Sequence, residues 1–332
     1  MRRLLLVLGG GLVLGAVIAA ALAAWAWRDY VRPGPAQSDV QLVLPRGAGL
    51  VAISERLEQG GVIRSALLFQ LAARLDGAAR QLRAGGYRFP AAIPLREAIE
   101  LLQRGETVVR RLTLPEGLSS AEAIRVVAAA EGLEGEAGPP PPEGALLPET
   151  YHYSWGDGRA ALVARMRQSM AEALAALWAT RPPDYPLASP EEALVLASIV
   201  EKETGVAAER ARVAAVFVNR LKRGMKLQSD PTVVYGLTQG QGPLGRDLTR
   251  ADLQAPHPWN TYVIAGLPPG PIANPGRAAL EATLRPAATN ELYFVADGTG
   301  GHAFAETLDE HNRNVARWRK LRSRNVEDGR AN

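Results

Sequence analysis

The sequence contains no cysteine, and this absence removes several kinds of chemistry at once. Disulfides, a thiolate nucleophile and cysteine-ligated zinc are excluded, although the redox compartment stays open. The four histidines do not form an HExxH motif, which argues against a catalytic zinc site. We therefore expect neither a metal nor a cofactor.

Aromatic residues make up only 6% of the chain, and no basic run is interleaved with them. We therefore expect no nucleic-acid partner. The segment DGTGGH lacks the GK[ST] ending and the following helix of a phosphate-binding loop. What is present is typical of a globular protein: 332 residues, 47% hydrophobic and 22% charged, enough for two or more compact units. The net charge of +4 suits an anionic membrane leaflet or cell-wall polymer.

The longest uncharged run, from Leu4 to Trp27, is long enough to cross a bilayer as a helix. Arg2 and Arg3 precede it, so the positive-inside rule leaves the short N-terminus in the cytoplasm and places the rest on the periplasmic or extracytoplasmic side. Trp25 is an interfacial anchor in this arrangement. A cleaved signal peptide is the alternative, but the run exceeds the apolar core of a signal peptide, which is usually about 7–15 residues long. We predict a single-pass protein of the cytoplasmic (inner) membrane.

A β-α-α-β unit is predicted after the Pro-rich linker, residues 28–39. Two strands, Val40–Leu44 and Gly86–Phe89, enclose two short helices, and Ser65 is the expected N-cap of the second. The region continues to residue 134. Its remaining predicted elements are a helix over 94–104, a strand over 108–114 and a helix over 119–130.

The Pro- and Gly-rich segment 135–142 predicts a break before a second unit, 143–325, and a tail, 326–332. Asp230 before Pro231 indicates a turn leading into a short strand. No internal repeat is present, and mixed helices and strands predict the α+β class. The other elements predicted in this unit are helices over 158–180, 190–203, 213–221 and 308–324, and a strand over 292–295.

The start of one helix in the second unit is well marked. Ser189 is the expected N-cap, Pro190 the first helical residue and Glu192 the reciprocal partner in a capping box. The register of this helix can therefore be counted from a fixed start.

Counting from that start places a carboxylate at the end of an apolar helix face. Leu196, Ile199, Val200 and Glu203 are spaced i, i+3, i+4 and i+7, whereas Glu201 points the opposite way. Burial against aliphatic side chains raises the pKa of a carboxyl and suits it to general acid catalysis. A merely solvated or salt-bridged glutamate is the structural alternative.

Several segments occur together in the order of a known family: IVEKETG, RGMKLQSDPTVVYG, NTY, GLPPGPIANPG, LYFVADGTGGHAF and LDEHN. In these segments the chain resembles the endolytic murein transglycosylases, also called the YceG-like or MltG family. The resemblance implies an N-terminal anchor (4–27), a LysM-like module matching residues 40–89 and a C-terminal catalytic domain. One departure is the short, Pro-rich segment before EGALLPETY.

The resemblance implies non-hydrolytic cleavage of the β-1,4 bond between N-acetylmuramic acid (MurNAc) and N-acetylglucosamine (GlcNAc) in nascent glycan strands. This reaction leaves 1,6-anhydroMurNAc ends and would terminate glycan elongation. The implied general acid/base is Glu203, with Glu201 as the alternative. The implied partners are glycan strands, the membrane and penicillin-binding proteins that polymerise glycan. The tentative substrate-binding residues are Thr204, Asp230, Tyr235, Asn260, Tyr262, His302, Asn312 and Glu149.

Some of these residues have alternative structural roles, and the chain has alternative functions. Asp230 could form a turn, His302 could be structural, and Glu149 could be an N-cap. A hydrolytic muramidase would use Glu149 or Asp230 to activate water. A non-catalytic wall-binding protein would use only the LysM-like module.

Overall fold

The computed structural model describes the backbone of residues 2–328 and the side chains of residues 13–323. The side chains of Arg2, Arg3 and the predicted tail, 326–332, lie outside the described part. The described chain forms twelve α-helices and six strands. The helices are α1 (Arg2–Val31), α2 (Leu50–Gln59), α3 (Ala66–Leu75), α4 (Leu95–Arg104), α5 (Ser120–Ala129), α6 (Arg159–Trp178), α7 (Pro190–Glu203), α8 (Arg210–Lys222), α9 (Asp230–Thr238), α10 (Arg250–Gln254), α11 (Arg277–Leu284) and α12 (Leu308–Asp328).

The strands pair in three two-stranded sheets, β1–β2, β3–β4 and β5–β6. Their small size leaves helix packing as the main source of the core, and the mixed α+β class is confirmed. The strands are β1 (Val40–Leu44), β2 (Gly85–Phe89), β3 (Val109–Thr113), β4 (Thr150–Ser154), β5 (Tyr293–Ala296) and β6 (His302–Ala305).

By compactness the chain divides into two units. The first comprises Met1–Arg110, Gly132–Glu134 and His152–Asp157. The second comprises Arg111–Glu131, Gly135–Tyr151 and Gly158–Asn332, so the Pro-rich segment 135–142 lies within it. The domain limits expected from the sequence refer to regions that fold separately. A division by compactness does not test them, so they stay a prediction.

The first unit contains the β-α-α-β arrangement that the sequence predicts. Strands β1 and β2 are antiparallel, with Val40 opposite Phe89 and Leu44 opposite Gly85. The predicted N-cap of α3 is present, because the Ser65 hydroxyl accepts a hydrogen bond from the Leu68 backbone N–H at 3.3 Å. The core of this unit includes fully buried aromatic side chains, among them Phe69, Tyr87 and Phe89.

Helix α1 is long and apolar enough to cross a membrane over Val13–Val31, by length and composition. It is the single helix of this kind among the described residues. This segment agrees with the sequence-predicted anchor in its length and apolar character.

In the second unit α7 packs against α6, α8 and α11 around a core that includes Leu196, Val200, Phe217 and Leu280. The middle of α7 is apolar nearly all round, which is typical of a buried helix. Its predicted start is correct, since the Ser189 hydroxyl accepts from the backbone N–H of the third helical residue.

One detail of the predicted capping box is wrong. The Glu192 carboxylate accepts from the Ala188 N–H at 2.8 Å rather than from the N–H of the N-cap residue. The carboxylate therefore satisfies a backbone donor one residue earlier, just outside the helix.

The short strand predicted after Asp230 is also wrong, because the segment TVVY lies inside α9. β-Branched residues favour strands, but two local features favour a helix start here. Pro231 occupies a first-turn position, where its missing N–H costs nothing, and the negative charge of Asp230 suits the positive end of the helix dipole. The Thr232 hydroxyl adds a hydrogen bond to the Ser229 carbonyl at 2.7 Å.

Candidate active site

Glu203 is the last residue of α7, and its carboxyl is enclosed by other side chains of the second unit. Burial is the main cause that raises the pKa of Glu203, to about 7. The nearby charge of Asp230 raises it further, while a hydrogen bond from Ser229 and the positive charge of Arg220 act in the opposite direction. The apolar face predicted from the helix register thus ends on a carboxyl that can exchange a proton near neutral pH.

The Ser229 hydroxyl donates a short hydrogen bond to Oε1 of Glu203. Ser229 is buried, and its backbone N–H donates to Oγ1 of Thr261 at 2.9 Å. Thr261 and Thr232 share a further hydroxyl contact of 2.9 Å. This buried polar network fixes the position of the donor and therefore the orientation of the carboxyl.

The backbone is unusual directly before Ser229. Gln228 has a φ of 54°, in the left-handed region that a residue with a side chain rarely adopts. Its N–H donates to the Thr261 carbonyl at 3.1 Å, which holds the turn. Such a conformation is costly, and here it aims the Ser229 hydroxyl at Glu203.

Arg220 of α8 supplies positive charge from within the core. Its Nε donates to the Leu292 carbonyl at 2.7 Å, and its guanidinium also donates to the Leu227 carbonyl at 2.7 Å. Burial lowers the pKa of Arg220 from its ordinary value, and the charge of Glu203 opposes that shift. The guanidinium supports the chain just before Gln228 and electrostatically favours the ionised form of Glu203.

His302 lies at the start of β6, and its charge would also favour an ionised Glu203. Its Nδ1 lies 2.8 Å from Oε2 of Glu209, and its backbone N–H donates to the same carboxylate at 3.1 Å. The ring packs edge-on against Phe294, with 5.3 Å between ring centroids. These contacts hold the ring near the candidate acid.

Asp230 accepts a 2.5 Å hydrogen bond from the Tyr262 hydroxyl. Burial, that hydrogen bond and the negative charges of Asp230 and Glu203 raise the pKa of Tyr262 above its ordinary value. The tyrosine therefore stays a donor at neutral pH. The structure thus brings together four of the sequence-predicted residues: Glu203, Asp230, Tyr262 and His302.

Asp230 also lines a cavity of about 800 Å³ in the second unit. Other lining residues are Lys202, Tyr235, Arg246 and Arg322, so the walls carry both charge signs. Glu203 does not line the cavity, but the residue before it and the residue after Ser229 do. The volume is sufficient for a sugar-sized ligand beside the carboxyl.

Glu201, the alternative acid, has a different environment. Its Oε2 accepts from the Gly276 backbone N–H at 2.8 Å. Gly276 is the N-cap of α11, so the carboxylate satisfies a free donor at a helix start and interacts favourably with the helix dipole. Burial raises the pKa of Glu201 as well, while the Gly276 hydrogen bond lowers it. This geometry assigns Glu201 a structural contact.

Tyr235 pairs with a buried carboxyl that the sequence analysis does not single out. Burial first, and then the charge of Glu143, raise the pKa of Tyr235 to about 12. Burial likewise raises the pKa of Glu143, whose Oε1 accepts from the Ser120 N–H at 2.7 Å. Ser229 has no sequence signal beyond its position in a family-like segment, and Glu143 has none, because their partners are distant in the chain.

The remaining predicted residues lie elsewhere or are committed to the backbone. Asn260 is buried and its amide donates to the Ala255 carbonyl at 2.8 Å, which stabilises its own loop. Thr204 is buried and its hydroxyl accepts from the Val206 N–H at 3.0 Å. Glu149 is exposed, 3.9 Å from Arg277, and Asn312 is exposed on α12. Contacts of these four with a sugar stay predictions.

Comparison with known proteins identifies the family of this chain. The model of the YceG-like family matches residues 42–317, and the chain belongs to this family. An endolytic murein transglycosylase of Bacillus subtilis (strain 168) is 29% identical over 308 residues, which cover 83% of this chain and 84% of the relative. A protein of the same name from Streptococcus pneumoniae serotype 2 is 29% identical over 325 residues, but the match covers 58% of its length.

A solved structure extends the comparison to the fold. The crystal structure of a yceG-like protein from Listeria monocytogenes has a TM-score of 0.50 and 29% sequence identity, covering 83% of this chain and 99% of that one. The chain is a lytic transglycosylase, and enzymes of this class are lyases.

Proposed function

We propose that this enzyme cleaves peptidoglycan glycan strands internally, at the MurNAc-β-1,4-GlcNAc bond, without consuming water. The observation that carries the proposal is the enclosed Glu203 carboxyl, whose pKa burial raises to about 7. A group with that pKa can give up a proton and take one back at neutral pH. The names of the bacterial relatives support murein as the substrate.

The proposed reaction needs one principal carboxyl. Protonated Glu203 donates its proton to the glycosidic oxygen while the bond from that oxygen to the muramyl anomeric carbon breaks. The Glu203 carboxylate then takes the proton from the muramyl O6 hydroxyl as O6 bonds to the anomeric carbon. The products are a 1,6-anhydromuramyl end and a free GlcNAc 4-hydroxyl, with all atoms of the substrate retained.

The residues around Glu203 have distinct parts in this proposal. The Ser229 hydrogen bond orients the carboxyl and stabilises the carboxylate formed after the first proton transfer. Asp230 holds negative charge nearby, where an oxocarbenium-like transition state develops positive charge. Tyr262 fixes the Asp230 carboxylate.

A hydrolytic muramidase is the second candidate, because the Asp230 charge is close enough to raise the pKa of Glu203. In that reaction Asp230 would activate water and leave a reducing muramic acid. Digestion of uncrosslinked glycan in heavy-oxygen water separates the two. Transglycosylation leaves no label in the anhydro product, whereas labelled reducing ends would overturn our proposal.

We also propose that α1 anchors the enzyme in the cytoplasmic membrane, with the N-terminus inside and the catalytic unit outside. The apolar segment Val13–Val31 supports the anchor, and the arginines before it support the orientation. Cleavage would then occur close to the membrane, where penicillin-binding proteins polymerise glycan, and would end strand elongation. The β-α-α-β region of the first unit is proposed to be a LysM-like module.

This anchoring proposal is tested by removing residues 1–32 and exporting the remainder in soluble form. We expect activity on soluble glycan to persist and function in cells to be lost. Equal cellular function of the soluble form would contradict the anchoring role.

A further inference from the structure

Helix α3 of the first unit carries apolar residues on its outer as well as its inner side. Phe69 and Ala73 are fully buried in the core of the unit. On the outer side Leu67, Leu71 and Leu75 are 65%, 46% and 85% exposed. Their spacing of four residues places the three leucines along one side of the helix. A helix that is apolar all round is normally covered on both sides, so the outer stripe indicates a missing apolar partner.

The stripe borders a groove of about 350 Å³ shared with the end of α1. Leu71 and Leu75 line it from α3, and Ala23, Ala26 and Trp27 line it from α1. The same three α1 residues lie within Val13–Val31, the segment apolar enough to cross a membrane. The groove is therefore level with the last turns of the membrane-crossing segment, within the same compact unit.

The polar ends of the groove are compatible with a lipid headgroup region. The Tyr30 hydroxyl at the end of α1 donates to Oδ2 of Asp76, just after α3, at 2.8 Å. This hydrogen bond ties the end of α3 to the end of the proposed anchor. Arg74 is exposed beside Leu75 and is positioned to meet lipid phosphates. Aromatic residues such as Trp27 and Tyr30 are typical of this membrane depth.

We propose that the leucine stripe of α3 and its groove bind the acyl and headgroup region of the membrane through which α1 passes. This inference rests on the proposed anchoring by α1. In this proposal the first unit contacts the membrane directly, in addition to being attached to it by α1. The consequence is that the unit is held at one fixed depth against the lipid surface.

The absence of cysteine allows a direct test on the full-length chain. Single substitutions Leu71→Cys, Glu55→Cys and Val17→Cys are each labelled with an environment-sensitive fluorophore and reconstituted into phospholipid nanodiscs. Part of the lipid carries a nitroxide near the headgroup end of an acyl chain, and a parallel sample carries it near the end of the chain, at the depth of Val17. Glu55 is exposed on α2 and does not line the groove, and Val17 is exposed on α1. All three side chains are exposed, so the substitutions leave the core intact.

Because an interfacial helix lies roughly 5–10 Å into the headgroup and acyl boundary, we expect quenching at Leu71 to be at least about twofold that at Glu55. Equal quenching at the two sites, with Val17 quenched, would overturn the lipid contact and leave the anchor in place. A blue-shifted but unquenched Leu71 label would indicate a protein on this face, such as a second copy, and would also overturn it. An unquenched Val17 label would overturn the anchor and this inference together, while glycan cleavage is measured separately.

Discussion

Two glutamates at the end of α7, only two residues apart, are both half-buried but have different surroundings. Glu201 accepts a backbone N–H at the start of α11, a contact that favours the ionised carboxylate and opposes the effect of burial on its pKa. Glu203 accepts a side-chain hydroxyl and faces the negative charge of Asp230, and its pKa rises to about 7. Burial alone therefore does not distinguish the two carboxyls. The groups around each carboxyl also matter. A backbone N–H at a helix start favours the ionised form, as at Glu201, whereas a nearby negative charge favours the protonated form, as at Glu203.

The strongest way to break this comparison is to neutralise each carboxyl in turn. We expect Glu203→Gln to lower kcat on the order of a thousandfold, because it removes the proton donor and acceptor. The matched control, Glu201→Gln, keeps an oxygen acceptor for the Gly276 N–H and should lose less than about tenfold. Steady-state release of glycan fragments measures both. Similar losses in the two variants would refute the assignment of different roles.

The raised pKa of Glu203 also predicts a stability that depends on pH. The folded-state pKa of Glu203 is raised from 4.5 to about 7, so the unfolded chain ionises first as pH rises and stability falls between those values. Glu203→Gln removes this penalty and should gain on the order of 3 kcal/mol relative to wild type at pH 8, with no gain near pH 4.

Urea unfolding of wild type and Glu203→Gln at several pH values measures this gain. If the difference in the free energy of unfolding between the two proteins does not change with pH, the pKa of Glu203 is not raised in the folded state. The comparison is internal, because the other raised carboxyls are present in both chains.

Ser229→Ala sharpens the comparison by removing the hydrogen bond that favours ionised Glu203. We expect the pKa of the essential acid to rise by about one unit, so the alkaline limb of the kcat/KM profile moves up. Ser189→Ala, at the other end of α7, is the control. It should cost about 1 kcal/mol of stability through the lost N-cap but leave the limb in place. A limb that moves equally in both variants would indicate a general loss of helix order.

The smallest expected effect has the opposite sign. Asp230→Asn removes a negative charge that raises the pKa of Glu203, so the alkaline limb should move down by about half a unit. The Tyr262 hydroxyl can still donate to the new amide oxygen, which preserves the local geometry. The pH profile of kcat/KM again reports the shift, and an upward movement would contradict the electrostatic account.

Local sequence patterns were sufficient to predict most of the helices, although not α10 or α11, and to place the candidate acid. Ser189 and Pro190 fixed the start of α7, and counting turns then placed Glu203 on its buried face. Local patterns failed at Asp230–Thr238, where the β-branched residues suggested a strand but the proline and the N-terminal aspartate made a helix. In such a short segment, residues that favour a helix start can outweigh the strand propensity of β-branched residues.

Local patterns could not predict which side chains contact the acid or one another, because the partners come from distant parts of the chain. Ser229 is 26 residues from Glu203, and Tyr262 is 32 residues from Asp230. Glu143 meets Tyr235 only in the folded unit. Asn260 shows a different limit. Its side chain stabilises its own loop, and the family-like motif alone does not distinguish this role from a contact with a sugar.

The most direct test of the central claim is mass spectrometry of the products from uncrosslinked glycan strands treated with wild type, Glu203→Gln and Glu201→Gln. Our account predicts internal cleavage with 1,6-anhydromuramyl ends from wild type and Glu201→Gln, and none from Glu203→Gln. Reducing muramic acid ends, or anhydro products that persist in Glu203→Gln and vanish in Glu201→Gln, would contradict it.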